Sequence, residues 1–258
     1  MVGLNNKIMN RYIFFICILA FQSSVFAQKK TSGTITYERQ ESWSKIMSQM
    51  PYLSQEEKDR IAITNSRNTN EFKETYELYF TPEVSFYQQK QNLANESSYR
   101  YSWRNSMYVI YRNFKEKKVR EWHEMLDKIY LCEDDLIKPV WKIGNEIKDV
   151  NGYLCMKAET RDTVKNQTVV AWFTDQILTE AGPEAYFGLP GAIMELNING
   201  GSATITAVSV RFSEEPREIN FPKSKAKKVN YSTLNKAILK FMNSSIQAQK
   251  NPFRSLRY

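Results

Sequence analysis

Short apolar–polar alternations, each closed by a tight-turn pair, constrain this chain more than any other feature. Tyr153 to Thr160 sets Tyr153, Cys155, Lys157 and Glu159 against Leu154, Met156 and Ala158. Asn151-Gly152 stands just before it and Lys165-Asn166 just after. Thr168 to Thr174 then sets Val169, Ala171 and Phe173 against Val170 and Trp172. A period of two is that of a strand with one side buried, and Asn-Gly is a pair that two-residue hairpins favour. The pattern recurs at Gly33–Arg39, Glu71–Phe80, Val84–Gln89, Tyr99–Trp103, Met107–Asn113, Lys118–Glu121, Lys128–Cys132, Trp141–Ile143, Ala192–Ile198 and Ala203–Phe212. Gln91 to Ser98 is polar and reads as a loop. So many short strands with tight turns predict an α+β, mainly antiparallel fold: one curved sheet or half-barrel, partly covered by helices. Two helices are expected. Ser54 and Glu57 form a capping box before a helix to about Ala62. Tyr231 to Gln249 carries Leu234, Ile238, Phe241, Met242 and Ile246 at helical spacing.

The N-terminal stretch reads as a targeting segment. Lys7 and Arg11 precede an apolar run from Tyr12 to Phe26, and Val25-Phe26-Ala27 ends it with small residues at the cleavage positions. Cleavage after Ala27 is expected, giving an exported, periplasmic chain with no transmembrane segment. The run is shorter than the roughly 20 residues a helical span needs. Cys17 lies inside it behind Phe15 and Ile16, which is not a lipidation signal. The division expected is 1–27 signal, 28–222 sheet domain, and 223–258 basic linker and terminal helix. The net charge of +8 gathers late, from Lys223 to Arg257. An exported basic tail meets anionic lipid or an acidic partner surface rather than nucleic acid. Cys132 and Cys155 remain after cleavage, and an oxidising compartment predicts a disulfide between them.

The chemistry-bearing residues are sparse. His123 is the only imidazole and sits in the charged run Arg120–Glu124, which reads as a structural position. A Cys/His zinc site lacks ligands, no Gly-x-Ser-x-Gly elbow is present, and Glu133-Asp134-Asp135 lacks the alternation of a calcium loop and reads as a solvated turn. No metal, cofactor or catalytic residue is expected. Two carboxylates meeting across the fold would be the route to a hydrolase. Gly188-Leu189-Pro190-Gly191 is the sharpest local signal. Pro190 and Gly191 suit the central positions of a type II turn, and Gly188 permits close backbone approach. The segment is either a structural corner or a rigid lip over a ligand. Aromatic residues make up 13% of the chain, enough for some rings, Trp141 and Trp172 among them, to line an apolar pocket as well as a core.

Taken together, Trp141-Lys142-Ile143, Gly152 to Ala158, Ala171-Trp172-Phe173-Thr174, Ala181-Gly182-Pro183 and Gly188 to Ile193 resemble the GLPGLI family of exported Bacteroidetes proteins. The resemblance runs over about residues 31–212. Ala192 replaces the usual Leu, and Phe187 stands where a further Gly is common. The family's function is unknown, and some members look linked to outer-membrane, TonB-dependent uptake. The resemblance and the missing catalytic set imply a non-enzymatic accessory or binding protein of the cell envelope, with an outer-membrane protein as partner. The alternatives are a carrier of lipid, lipoprotein or another apolar small molecule, on a curved sheet similar to that of LolA-like carriers, and a carboxylate hydrolase.

Overall fold

Strand β1, Gly33–Glu41, puts Ile35, Tyr37 and Arg39 on one side, and these are buried. Around it a computed structural model, describing residues 31–66, 73–90, 107–126, 128–213, 215 and 217–258, builds one sheet. Its further strands are β2 (Lys73–Phe80), β3 (Val84–Gln89), β4 (Tyr108–Asn113), β5 (Lys118–Met125), β6 (Lys128–Asp135), β7 (Lys142–Val150), β8 (Tyr153–Asp162), β9 (Gln167–Thr174), β10 (Ala192–Ile198), β11 (Ala203–Phe212) and β12 (Lys227–Val229). Helices α1 (Trp43–Ser48), α2 (Gln55–Ser66) and α3 (Tyr231–Gln247) accompany them. The expected signal segment, the loop 91–98 and the strand Tyr99–Trp103 lie outside the described residues.

The 12-stranded sheet runs β12-β6-β5-β4-β3-β2-β1-β11-β10-β9-β8-β7. Every pairing is antiparallel except the parallel β12–β6 edge. The chain therefore zigzags outward from β1 to β6, jumps to the far edge, and zigzags back to β11. The jump fixes the shape. Residues 136–141 reach no more than about 25 Å, whereas β6 and β7 would stand roughly 48 Å apart in a flat sheet of this order. The sheet must curl until its ends approach. The main core accordingly joins Ile110 and Val119 of the first half to Ala158 and Phe173 of the second. The β8–β9 hairpin reaches the opposite side, where Val164 packs with Met125, Cys132 and α3.

The turns follow the sequence. Asn151 and Gly152 both have positive φ, 53° and 80°, as do Asn199 and Gly200, so both hairpins use the left-handed turn their residues allow. The capping box closes reciprocally. The Ser54 amide donates to Glu57 Oε2 at 2.8 Å, and the Glu57 amide to Ser54 Oγ at 3.3 Å. The side chain of Asn230 caps α3 by accepting from the Thr233 amide at 2.9 Å. Leu234, Ile238 and Met242 are the buried stripe of α3. On the convex face Phe221 stacks on Trp122 at 5.5 Å and meets Phe86 and Tyr111 edge-on. The strap around it leads straight into β12, so the charged stretch before α3 contributes a strand. Glu133, Asp134 and Asp135 end β6 instead of forming a turn, and Asp134 accepts the Tyr231 amide at 2.9 Å. Among the described residues no helix is long and apolar enough to cross a membrane.

The expected disulfide is not formed: Cys132 and Cys155 are free, buried thiols. Cys132 lies in β6 and Cys155 in β8, with β5, β4, β3, β2, β1, β11, β10 and β9 between them in the sheet. Burial, reinforced by neighbouring carboxylates, pushes Cys132 up to about 12 and Cys155 up to about 11, which suppresses the thiolate needed for reaction. Thiol titration of the mature chain should find both cysteines unreactive at neutral pH and both released on unfolding, without reductant.

Candidate functional site

The segment from Ile177 to Gly191 connects β9 to β10 as a self-bonded loop. Gly188 donates its amide to the Glu180 carbonyl at 2.7 Å, and Ala192 to the Ile177 carbonyl at 3.1 Å. Trp141 Nε1 donates to the Phe187 carbonyl at 2.9 Å. The glycines of the Gly-Leu-Pro-Gly motif divide the work differently from the sequence expectation. Gly188 is the left-handed residue, with φ 86°. Gly191 is not left-handed; a Cβ there would overlap the Thr174 carbonyl oxygen. The type II turn is therefore absent, because Gly191 is already committed to close contact with β9. Leu189 is buried and Pro190 exposed. Between this loop, the β2–β3 turn and Phe114 lies an open pocket of about 390 Å³, lined by Thr81, Pro82, Leu178, Thr179, Glu180, Leu189 and Pro190. Gly188 to Gly191 and Trp141 thus meet at one place. Trp172 does not join them: it points away from the core side of β9, and its ring carries Lys148 Nζ at 5.0 Å.

Beneath the loop lies what the sequence reading missed. Glu184 is 5% exposed, in the left-handed region at φ 55°. It accepts two hydrogen bonds from Arg257, Nη2 to Oε1 at 2.7 Å and Nε to Oε2 at 2.9 Å. Tyr87 donates to Oε1 at 3.0 Å, and Arg39 Nε lies 3.4 Å away. Arg112, 2% exposed, donates to the Gly182 and Glu184 carbonyls. Arg257 also donates to Tyr76 at 2.8 Å and lies over the Tyr108 ring at 4.5 Å. Glu74 completes the group, 3.6 Å from Arg39. Arg257, expected in an exposed basic tail, is instead a buried counter-ion. Burial alone would raise the Glu184 pKa. The Arg257 charge and hydrogen bonds, with Arg39 and Tyr87, reverse this and hold it at about 2. Burial raises Tyr87 and Tyr108 well above the usual phenol range. The arrangement therefore presents an ionised carboxylate with its oxygens taken and phenols that keep their protons.

A second group stands on β5. His123 is 5% exposed; its Nδ1 lies 3.4 Å from Glu121 Oε1, and Tyr231 donates to Glu121 Oε2 at 2.9 Å. His123 is thus buried, as a structural histidine would be, but its Nε2 has no partner. Among the described residues no group of three or more His, Cys, Asp or Glu side chains is arranged to hold a metal. A signal for the buried charges was present in the strands. Arg39 follows Ile35 and Tyr37 in phase, Arg112 follows Tyr108 and Ile110, and Glu121 and His123 follow Val119. Nothing comparable pointed to Glu184.

Comparison with known proteins adds little chemistry. A family described as "Protein of unknown function (Porph_ging)" matches residues 159–195, a stretch from β8 through the whole loop into β10. None of the curated proteins matches the chain in sequence. Two solved structures of PNGF-II are similar in fold. The one in the C2 space group is 15% identical at a TM-score of 0.50, over 80% of this chain and 32% of its own. The one in the P21 space group is 16% identical at 0.50, over 81% and 34%. The chain thus spans about a third of those proteins, and the likeness bears on the β-rich fold alone.

Two outcomes follow. Glu184→Gln strands two buried arginines and should cost about 3–5 kcal/mol in denaturant unfolding. In the unchanged protein the depressed pKa stabilises fully above the ordinary carboxylate value and is lost as pH falls toward 2. Roughly 3 kcal/mol should therefore disappear between about pH 5 and pH 2, and the Glu184→Gln protein should show a smaller loss over the same range. Gly191→Ala should destabilise by about 1–3 kcal/mol through overpacking, while Pro190→Ala at the exposed neighbour should fall within roughly 0.5 kcal/mol of the parent.

Proposed function

We propose that this is an exported, non-enzymatic accessory or binding protein of the cell envelope, of the GLPGLI type, which docks a partner at the pocket beside the Gly188–Gly191 loop. The carrying observation is that pocket. An open, mixed polar and apolar hollow sits on a loop whose frame is locked from below by Glu184, Arg112 and Arg257. Such a surface loses little entropy on binding. Leu178 adds a partly exposed apolar side chain at its wall. The match to residues 159–195 takes in this loop and supports the family reading. The expected signal segment supports a periplasmic location, and an outer-membrane protein, such as a component of a TonB-dependent uptake system, is the partner it favours.

The competing readings have less behind them. A carboxylate hydrolase needs an acid with a proton to give at neutral pH, and Glu184 is held at about 2. A lipid carrier needs a dry cavity. The described inner face is packed with Tyr37, Tyr76, Phe80, Tyr87 and Phe173, and Trp172 stands outside it.

The test is affinity capture from gently solubilised envelopes, with the tag placed just after Ala27, because Tyr258 is buried. A stoichiometric outer-membrane protein is expected from the parent and should be lost with Leu178→Glu, a change at a partly exposed residue that leaves the fold intact. Bound lipid with no protein partner, or capture unaffected by Leu178→Glu, would overturn the proposal.

A further inference from the structure

Strand β7 is the last in the sheet, and among the described residues only β8 pairs with it. Ile147 lies opposite Met156, which lies opposite Phe173, and that opposite Ile193. Ile143 lies opposite Ala158, which lies opposite Ala171, and that opposite Leu196. Residues directly opposite one another share a face of the sheet. Phe173, Ile193, Ala158, Ala171 and Leu196 are fully buried, yet Ile143 and Ile147 are 52% and 61% exposed. Leu154, two residues before Met156 and so on the same face, is 59% exposed. Two rows of the core therefore run out to an open edge and end in solvent.

The backbone is open at the same place. Asn151-Gly152 is a two-residue turn, so Val150 and Tyr153 are the hydrogen-bonded pair that closes the hairpin. Bonded and non-bonded pairs alternate along an antiparallel ladder. Counting back from Val150, the amides and carbonyls of Asp149 and Ile147 face away from β8. The register slips between Ile143 and Ile147, a bulge that bends the first half of the strand away from a straight partner. The usable edge is thus short and centred near Ile147. Opposite charges flank that residue on the outer face. Glu146 accepts from Lys157 Nζ at 2.6 Å, and Lys148 donates to Glu195 at 2.7 Å. Lys157 and Glu195 both stand opposite Trp172, which points away from the core, so Glu146 and Lys148 share that outward side.

We propose that two copies of this chain pair edge to edge through β7, antiparallel about a two-fold axis at Ile147. A two-fold contact needs a surface complementary to itself, and this stretch is one. At that register Ile147 exchanges both backbone hydrogen bonds with Ile147 of the second copy. Glu146 of each copy then stands opposite Lys148 of the other, on both sides of the axis. These flanking pairs are non-bonded ones, whose side chains approach most closely, so both charge pairs form. On the inner face the two apolar strips of Ile143, Ile147 and Leu154 become continuous. Slipping by one residue sets Glu146 against Asp149 or Ile147 and turns the two inner faces to opposite sides. The bulge keeps the ladder short, and a two-fold pairing consumes the edge, so assembly stops at the dimer. This surface is separate from the loop pocket and does not depend on the partner reading.

The test is sedimentation velocity of the mature chain over a concentration series at low salt. The contact is small, so a reversible dimer with a Kd of about 10–100 µM is expected. Glu146→Lys sets lysine against lysine twice, and Lys148→Glu sets acid against acid twice. Each variant alone should dimerise at least about tenfold more weakly than the parent. Mixed in equal amounts, the two variants restore both opposite-charge pairs across the axis, and the dimer should return. Circular dichroism should show both variants folded, since neither side chain is buried. A parent that stays monomeric up to about 0.5 mM overturns the proposal. A dimer that either single variant leaves intact places the contact on another face and overturns it too. A mixture that stays monomeric shows that the charges do not meet across an axis, with the same result.

Discussion

The Glu184 carboxylate with the arginines around it is the interaction on which the rest depends. It faces Arg257 from residues near 258, Arg39 from the central strand and Tyr87 from β3, while Arg112 from β4 holds the backbone on either side of Pro183. The Glu184 side chain ties together a connecting loop, a tail and two strands, and its carbonyl adds a third. In the low dielectric of the core each of these charges is tolerable only because the others are present. Glu184 also accepts an uncommon left-handed backbone, a cost of order 1–2 kcal/mol that the network offsets. The loop above inherits its rigidity from this anchor, which is why the Gly188–Gly191 segment can present a fixed surface without much regular structure.

The second constraint is geometric. A short link between strands that the sheet order sets far apart forces the sheet to curl. Curling creates an inside, and the inside collects the buried tyrosines and charges. The apolar half, from β8 to β11, fills with small and branched residues such as Ala158, Ala171, Ala192 and Ile205. The polar half, from β1 to β5, carries the aromatic and ionic groups. The two thiols, one near each end of the sheet, report on the same geometry from opposite sides.

Most of the architecture was legible in the sequence. Two-residue alternation placed the strands, Asn151-Gly152 placed a hairpin, and Ser54 with Glu57 placed a helix start. These are local signals, and local rules govern them. Pairing order was not legible. Nothing in β1 says that β11 is its neighbour, and the disulfide expectation failed for that reason: two cysteines in neighbouring segments of sequence ended near opposite edges. The Gly-Leu-Pro-Gly motif stands out in the sequence, but its glycines exchange roles, because close contact with Thr174 outweighs local turn preference at Gly191. Glu184 escaped notice since its value lies entirely in partners distant in sequence. Arg257 was read by composition as surface charge, and only the fold reveals it as the counter-ion.

The burial of Leu256, Tyr258 and the Arg257 side chain sets an order of events. A chain made from its N-terminus exposes β1 first, yet Arg39 on that strand reaches the Tyr258 carbonyl and shares Glu184 with Arg257. Until those residues emerge from the ribosome, Glu184 and Arg39 have no complete set of partners. A nascent chain of this design lacks its central ionic anchor until the segment that carries Arg257 has been made.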